Sequence, residues 1–274
     1  MAEFGELVGE NYVIKGLLGT GGTSRVYLAV DVKGGEKLAV KEIPVEKAQL
    51  AGALTELRLQ EKLYHPALPR VRSAWEEKGF VYVAMDYVEG IALDALLRER
   101  GRVSQEQAVE WAKQLCKALV YLHGFHPPVI YRDMKPANVI LQKDGRVKLI
   151  DFGAIRQQKR SRDTLPLGTP GYAAPEQYGK HPHSDVRTDV YGLGVTLYHA
   201  LTGHDPGEPP HQVCDVREWN KSISPTLAGI VRKCTAKQPW RRYRSCEKLL
   251  KALETYEEKD RGILARLRLR IMFS

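Results

Sequence analysis

Cysteine is scarce in this chain, and none of the four, Cys116, Cys214, Cys234 and Cys246, stands in a C-x-x-C pair. A structural zinc site and a dithiol redox centre are therefore unsupported, and buried, reduced thiols are the expectation. Long apolar runs are missing too, so no segment reads as a membrane-spanning helix. The opening MAEFGELVGENY has neither the basic n-region nor the apolar h-region of a signal peptide, which makes the cytoplasm the expected location. No internal repeat or low-complexity linker is present. The formal charge is +9, but lysine and arginine are dispersed rather than gathered into one block, so no nucleic-acid partner is expected.

What is there suits a folded enzyme. The 274 residues are 43% hydrophobic and 27% charged, enough for two lobes with separate cores. From Tyr12 to Ile43 the chain reads as short strands, YVIKGLL, SRVYLAV and KLAVKEI, separated by glycine-rich turns. The spacing of Leu50, Leu54, Leu57 and Leu63 predicts one amphipathic helix, ended by His65-Pro66. A further apolar strand, FVYVAMDYV, covers residues 80–88, and Glu89-Gly90 breaks it before a markedly helical second half. Helices are expected at about 104–123, 186–202, 225–236 and 245–256. The division is therefore 1–88 for a β-rich first lobe, 89–257 for a helical second lobe, and 258–274 for a basic amphipathic tail.

Chemistry is concentrated in a few segments. Gly19-Thr20-Gly21-Gly22-Thr23-Ser24 joins two strands, so its backbone can approach a polyphosphate without interference from Cβ atoms. In the next strand, LAVK, Lys41 can meet phosphate oxygens, and it needs an anionic brace. Glu56 is preferred to Glu61 for that role because it leaves Leu57 to His65 to complete the helix. In VIYRDMKPAN, Asp133 can accept the proton of an incoming hydroxyl and Lys135 can neutralise a transferred phosphoryl group. Asn138 can give an oxygen to Mg²⁺. Asp151-Phe152-Gly153 follows a predicted strand pair, VILQ and VKLI, and supplies a second hard oxygen ligand.

The order Gly-rich loop, LAVK, YRDMKPAN, DFG and AAPE resembles the signature set of the protein kinases. The match spans roughly residues 10–257. On PPVIYRDMKPANVIL, GTPGYAAPEQYG and TDVYGLGVTLYHALTG the chain is most similar to the bacterial eukaryotic-like serine/threonine kinases. The resemblance implies an α+β, bilobal protein-kinase fold that uses ATP and Mg²⁺ and acts on serine or threonine hydroxyls of protein substrates. It also implies a nucleotide site of Leu18, Gly19, Gly21 and Gly22, with Val26, Ala39 and Ile140 around the adenine. Met85 resembles the gatekeeper, and Asp86 to Val88 the hinge. Lys41, Glu56, Asp133 and Lys135 would be catalytic, and Asn138 and Asp151 would hold metal. Thr169 would bond Asp133 and Lys135, Glu176 would pair with Arg242, and Asp189 would hold the catalytic-loop backbone.

Three departures stand out. Gln60 occupies a position where the family usually has an apolar residue, and it is expected to lie close to Tyr131 and make the stack involving Phe152 more polar. Ser24 occupies the place of the third loop glycine, and Tyr131 that of the usual histidine, which brings a phenol needing a partner. Ser161 and Thr164 lie in a polar stretch before Gly168 and are the candidate autophosphorylation sites, with Thr164 favoured and Arg132 as receiver of the phosphate. The stretch from Gly203 to Pro225 has little helical periodicity, so the helix that flanks substrate docking is expected to be short or missing. For the ending GILARLRLRIMFS a packed or frayed terminal helix is favoured over contact with an acidic membrane. The rival readings are a pseudokinase scaffold and a small-molecule kinase. Against the first stand Lys41, Glu56, Asp133, Asn138 and Asp151; against the second stands GTPGYAAPE.

Overall fold

The computed structural model describes residues 2–22, 24–46, 53–158, 168–178, 181–209, 211–258 and 260, with the backbone alone for 53–56. The fold is α+β and has two compact units, one up to Gly90 and the other from Ile91 onward.

The first unit is built on an antiparallel sheet of β1 (Leu7–Val8), β2 (Tyr12–Thr20), β3 (Arg25–Asp31), β4 (Lys37–Pro44), β5 (Val71–Glu77) and β6 (Phe80–Asp86). They lie in the order β1-β2-β3-β4-β6-β5. Because side chains alternate across a strand, the register sorts the sheet into two faces. Tyr27, Leu38, Val40, Tyr82 and Ala84 pack on one face, with Val8, Tyr12 and Ile14 and against the half-buried Trp75. The Trp75 ring stacks on Tyr12 at 5.2 Å and on Tyr82 at 5.4 Å. Within this apolar face sits the buried carboxylate of Glu42. It accepts from the Ala2 amide at 2.9 Å and from the Tyr82 hydroxyl at 3.0 Å, so its burial is compensated by donors. Leu57 of helix α1 (Ala53–Gln60) packs on the other face with Val81 and Val83.

In the second unit, α2 (Leu93–Arg100) follows the two-residue strand β7 (Ile91–Ala92). The long helix α3 (Gln105–His123) is capped by Ser104, whose hydroxyl accepts from the Gln107 amide. Then come β8 (Val129–Ile130), β9 (Val139–Leu141), β10 (Val147–Leu149) and β11 (Arg156–Gln157). Strand β9 pairs with both β10 and β7, and β11 pairs with β8.

Helix α4 (Val186–Thr202) starts in a capping box between Asp185 and Thr188 and ends at Gly203 in the left-handed conformation. It is buried on every side from Gly192 to Leu201, as expected of a helix surrounded by others. Around it lie α3, α6 (Pro225–Cys234) and α7 (Cys246–Glu254), with the four-residue α5 (Val216–Trp219) between α4 and α6. Cys116, Cys234 and Cys246 are buried and Cys214 half-buried, all as free thiols. Burial pushes the first three thiols up, which keeps them protonated and unreactive. Among the described residues no helix is long and apolar enough to cross a membrane.

Candidate active site

In the first unit the register places Val26 and Val83 opposite Lys41, and Leu28 and Met85 opposite Ala39. Val26, Ala39, Lys41 and Met85 therefore share one face of the sheet, the face on which Leu57 of α1 packs. Glu42 follows Lys41 and so falls on the opposite face, where its hydrogen bonds to Ala2 and Tyr82 hold it.

Gly19, Gly21 and Gly22 do not adopt the left-handed backbone that would demand glycine. A Cβ on Gly19 or Gly22 would meet no other heavy atom within 4 Å. Among the described residues nothing requires bare backbone at these two positions, which leaves them open to the approach of a group such as a phosphate. Leu18 is exposed on β2. Asp86 turns its carboxylate to Arg72 at 2.7 Å and to the Arg70 amide at 3.1 Å, and Val88 lies half-buried just beyond β6. The backbone of Glu56 lies in α1, but its side chain is outside the described residues.

The second unit assembles its polar groups around Asp133. Lys135 Nζ lies 2.8 Å from Asp133 Oδ2 and donates to Thr169 Oγ1 at 2.7 Å, while the Thr169 hydroxyl donates to Asp133 Oδ1 at 2.8 Å. Asn138 Nδ2 donates to the Asp133 carbonyl at 2.9 Å and to Oδ2 at 3.0 Å. With its hydrogens so directed, the amide presents Oδ1 as the oxygen that a hard cation would take.

Residues Asn138 and Asp151 come together because they bracket one hairpin. Asn138 precedes β9, Ile150 and Asp151 follow β10, and the Ile150 amide donates to the Asn138 carbonyl at 2.8 Å. Ile140 lies within that hairpin, opposite Lys148 on one side and Ala92 on the other. Among the described residues no group of three or more His, Cys, Asp or Glu could hold a metal ion. A divalent cation at Asn138 and Asp151 would take its remaining oxygens from phosphate and water, which is how Mg²⁺ is commonly held.

Two residues of these loops have the left-handed backbone that side chains disfavour, Arg132 at φ 68° and Asp151 at φ 60°. Each costs on the order of 1–3 kcal/mol and persists only where its surroundings over-determine it. For Arg132 the anchors are visible. Asp189 of α4 is wholly buried and accepts from the Tyr131 and Arg132 amides, both at 2.8 Å. Arg132 Nε donates to the Ala154 carbonyl at 2.6 Å, and its own carbonyl accepts from Gln177 Nε2 at 2.9 Å.

The phenol of Tyr131 finds its partner in the Ile150 carbonyl, and its ring meets Phe152 edge-on at 5.9 Å. Burial pushes this hydroxyl well up, so it stays a neutral donor. Arg242 forks onto Glu176 with bonds of 2.6 and 2.7 Å, and Thr188 adds a third donor to the same carboxylate at 3.0 Å.

Sequence reasoning missed two of these supports. His123 Nε2 lies 2.8 Å from Asp189 Oδ2, and Gln177 bridges the Ala174 amide to the Arg132 carbonyl. His123 had a signal, since with Cys116 and Leu119 it continues the buried stripe of α3 at i, i+3 and i+7. Gln177 had none. Ser161 and Thr164, and residues 261–274 of the tail, lie outside the described residues.

A two-unit α+β fold whose first unit is a six-stranded sheet and whose second gathers Lys135, Asn138 and Thr169 on the Asp133 carboxylate matches the class of the protein kinases. The protein kinase domain model matches residues 12–261, and the chain belongs to that family. Similar proteins include the serine/threonine-protein kinase PrkC of Bacillus subtilis, 27% identical over 94% of this chain and 42% of the relative. A probable serine/threonine-protein kinase of Streptomyces coelicolor is 32% identical over 88% and 39%. The serine/threonine-protein kinase PknB of Mycolicibacterium smegmatis is 31% identical over 88% and 42%. The chain thus spans about two fifths of the length of the curated relatives it matches.

Proposed function

We propose that this chain is the catalytic domain of a serine/threonine protein kinase, moving the γ-phosphoryl group of ATP to hydroxyls of protein substrates. The single observation that carries this reading is the convergence of Lys135, Asn138 and Thr169 on the Asp133 carboxylate. Asp133 takes the proton of the acceptor hydroxyl as its oxygen bonds to the γ-phosphorus and the bond to the β–γ bridging oxygen breaks. Lys135 meets charge on the group in transit. It sits two residues after the base, and that position supports the serine/threonine class, as do the names of the relatives.

Asn138 and Asp151 would hold Mg²⁺, whose charge offsets that of the phosphates when it is bound. Lys41, braced by Glu56, would orient the α and β phosphates, and the backbone at Gly19, Gly21 and Gly22 would cover them. Leu18, Val26, Ala39, Met85 and Ile140 would enclose the adenine, and the backbone from Asp86 to Val88 would hydrogen-bond its edge. Residues 168–176 would receive the peptide. Activation by autophosphorylation at Thr164 or Ser161 belongs to the same reading, with Arg132 pairing the new phosphate.

Incubation with Mg-ATP and a panel of serine, threonine and tyrosine peptides tests it. Phosphate on serine and threonine peptides, none on tyrosine peptides, and phosphate between Ser161 and Thr169 of the enzyme itself are expected. Transfer to tyrosine, or no transfer to any peptide under conditions where ATP binds, would overturn it.

A further inference from the structure

One cluster of polar groups in the second unit, buried Tyr172 and His199 with half-exposed Asp205, takes no part in the chemistry above. Tyr172 is buried, and its hydroxyl lies 2.6 Å from His199 Nδ1 and 2.7 Å from Asp205 Oδ1. A phenol has one proton to give. Asp205 accepts it, so Nδ1 of His199 must carry a hydrogen and donate it to the phenolic oxygen. The same Asp205 oxygen also accepts from the Gly207 amide at 2.7 Å.

Contact between the two loops is as close as backbone allows. Gly171 has φ +83°, and a Cβ there would sit 1.8 Å from the Pro206 carbonyl oxygen, so only glycine permits the approach. Segment 168–172 is therefore seated directly on 205–207. Helix α4 completes the relationship. Asp189, near its start, grips the backbone beside the base, and His199, ten residues further along the same helix, grips Tyr172. One rigid helix thus fixes the loop carrying Asp133 and the loop carrying Thr169 and Tyr172 in a common frame. A phenylalanine at 172 would fill the same space without requiring buried polar partners; the network's distinctive property is a unique placement.

We infer that His199 and Asp205 are positioning residues for peptide docking, acting through Tyr172 to set residues 168–173 relative to Asp133. The inference rests on the reading of 168–176 as the peptide-receiving segment. Asp205→Ala, which removes the acceptor oxygen, and His199→Leu, made in the full chain, are each expected to raise the peptide KM about tenfold while kcat and the ATP KM stay within about twofold. His199→Asn, which keeps an N–H donor at the Nδ1 position, is expected to restore most of the peptide affinity. In a Tyr172→Phe background Asp205→Ala is expected to add little to the peptide KM, because Asp205 reaches residue 172 through the lost hydroxyl.

Amide hydrogen exchange of residues 168–178, with the melting temperature measured alongside, reads the same coupling without any substrate. Protection should fall in Asp205→Ala with little change in melting temperature. Unchanged exchange in Asp205→Ala would overturn the inference, as would a loss of kcat and ATP affinity matching the loss of peptide affinity. If the wild-type chain phosphorylates no peptide, the docking reading falls, and the exchange measurement still decides whether His199 and Asp205 hold the loop.

Discussion

Both hydrogens of the Asn138 side-chain amide are directed at Asp133, one at its carbonyl and one at its carboxylate. The residue proposed to hold metal thereby also orients the proposed base. Removing it acts on two functions at once. Asn138→Ala is expected to raise the Mg²⁺ concentration for half-maximal activity by about tenfold or more, since groups that orient a metal site commonly carry effects of that size. Titration of activity with Mg²⁺ at saturating ATP checks this, and an unchanged Mg²⁺ requirement would count against a metal-holding role for Asn138.

Arg242 is fully buried and forks onto Glu176, which is itself mostly covered. Glu176→Ala leaves the guanidinium with three backbone carbonyls, those of Arg187, Ala236 and Lys237, but no counter-charge. Breaking one side of a buried ion pair costs about 3–5 kcal/mol. Urea denaturation followed by a probe in the second unit should show a loss in this range, and a loss below about 1 kcal/mol would mean that the carbonyls alone hold Arg242.

Glu42 supports the opposite face of the strand that carries Lys41. Glu42→Ala strips a buried acceptor from the Tyr82 and Tyr27 hydroxyls and the Ala2 amide. Burial, then the hydrogen bond to Glu42, pushes the Tyr82 hydroxyl up, so it remains a donor left without its acceptor. A destabilisation of about 2–4 kcal/mol is expected, seen as a lower melting temperature of the first unit. Glu42→Gln, which keeps one acceptor oxygen, should recover part of it.

His199 gives the fold a sensitivity to acid. Burial lowers its tendency to take a proton, and Asp205 and Asp94 oppose this while His204 reinforces it, with a net shift below the usual value of 6.5. Below about pH 6.5 the unfolded chain binds a proton that the folded chain refuses, so the unfolded state carries more protons and stability falls as the pH falls. The contribution of a neutral His199 is fully present above that pH and is lost progressively beneath it. The melting temperature should decline more steeply from pH 6.5 to 5 in the wild type than in His199→Asn, and parallel profiles would exclude His199 as the source.

Much of the fold was legible because burial imposes a period. The long helices expected at about 104–123 and 186–202 are observed at Gln105–His123 and Val186–Thr202, where apolar stripes and caps coincide. Strand β5, VRSAWEE, escaped notice because it lies at the edge of the sheet, and its alternation is between half-buried and exposed rather than buried and exposed. Helix α2 escaped because Ala92 stands at its start with no side-chain cap to announce it. The expected short or missing helix after α4 corresponds to α5, four residues long. In the site, the motif residues Asp133, Lys135, Asn138 and Thr169 stand out in the sequence, and the fold brings them into mutual contact. Residues that hold the motif in place, such as Gln177 and the Tyr172–His199–Asp205 cluster, depend on contacts between distant segments and leave no local pattern.

Asp133 is proposed to act on the acceptor hydroxyl and not on the nucleotide. Single-turnover phosphoryl transfer to a serine peptide in Asp133→Asn, with nucleotide affinity measured on the same preparation, tests it most directly. The expected result is a rate about 10²–10⁴-fold below wild type with ATP binding within about threefold. A rate near wild type, or a rate that falls only in proportion to lost ATP binding, would contradict the account.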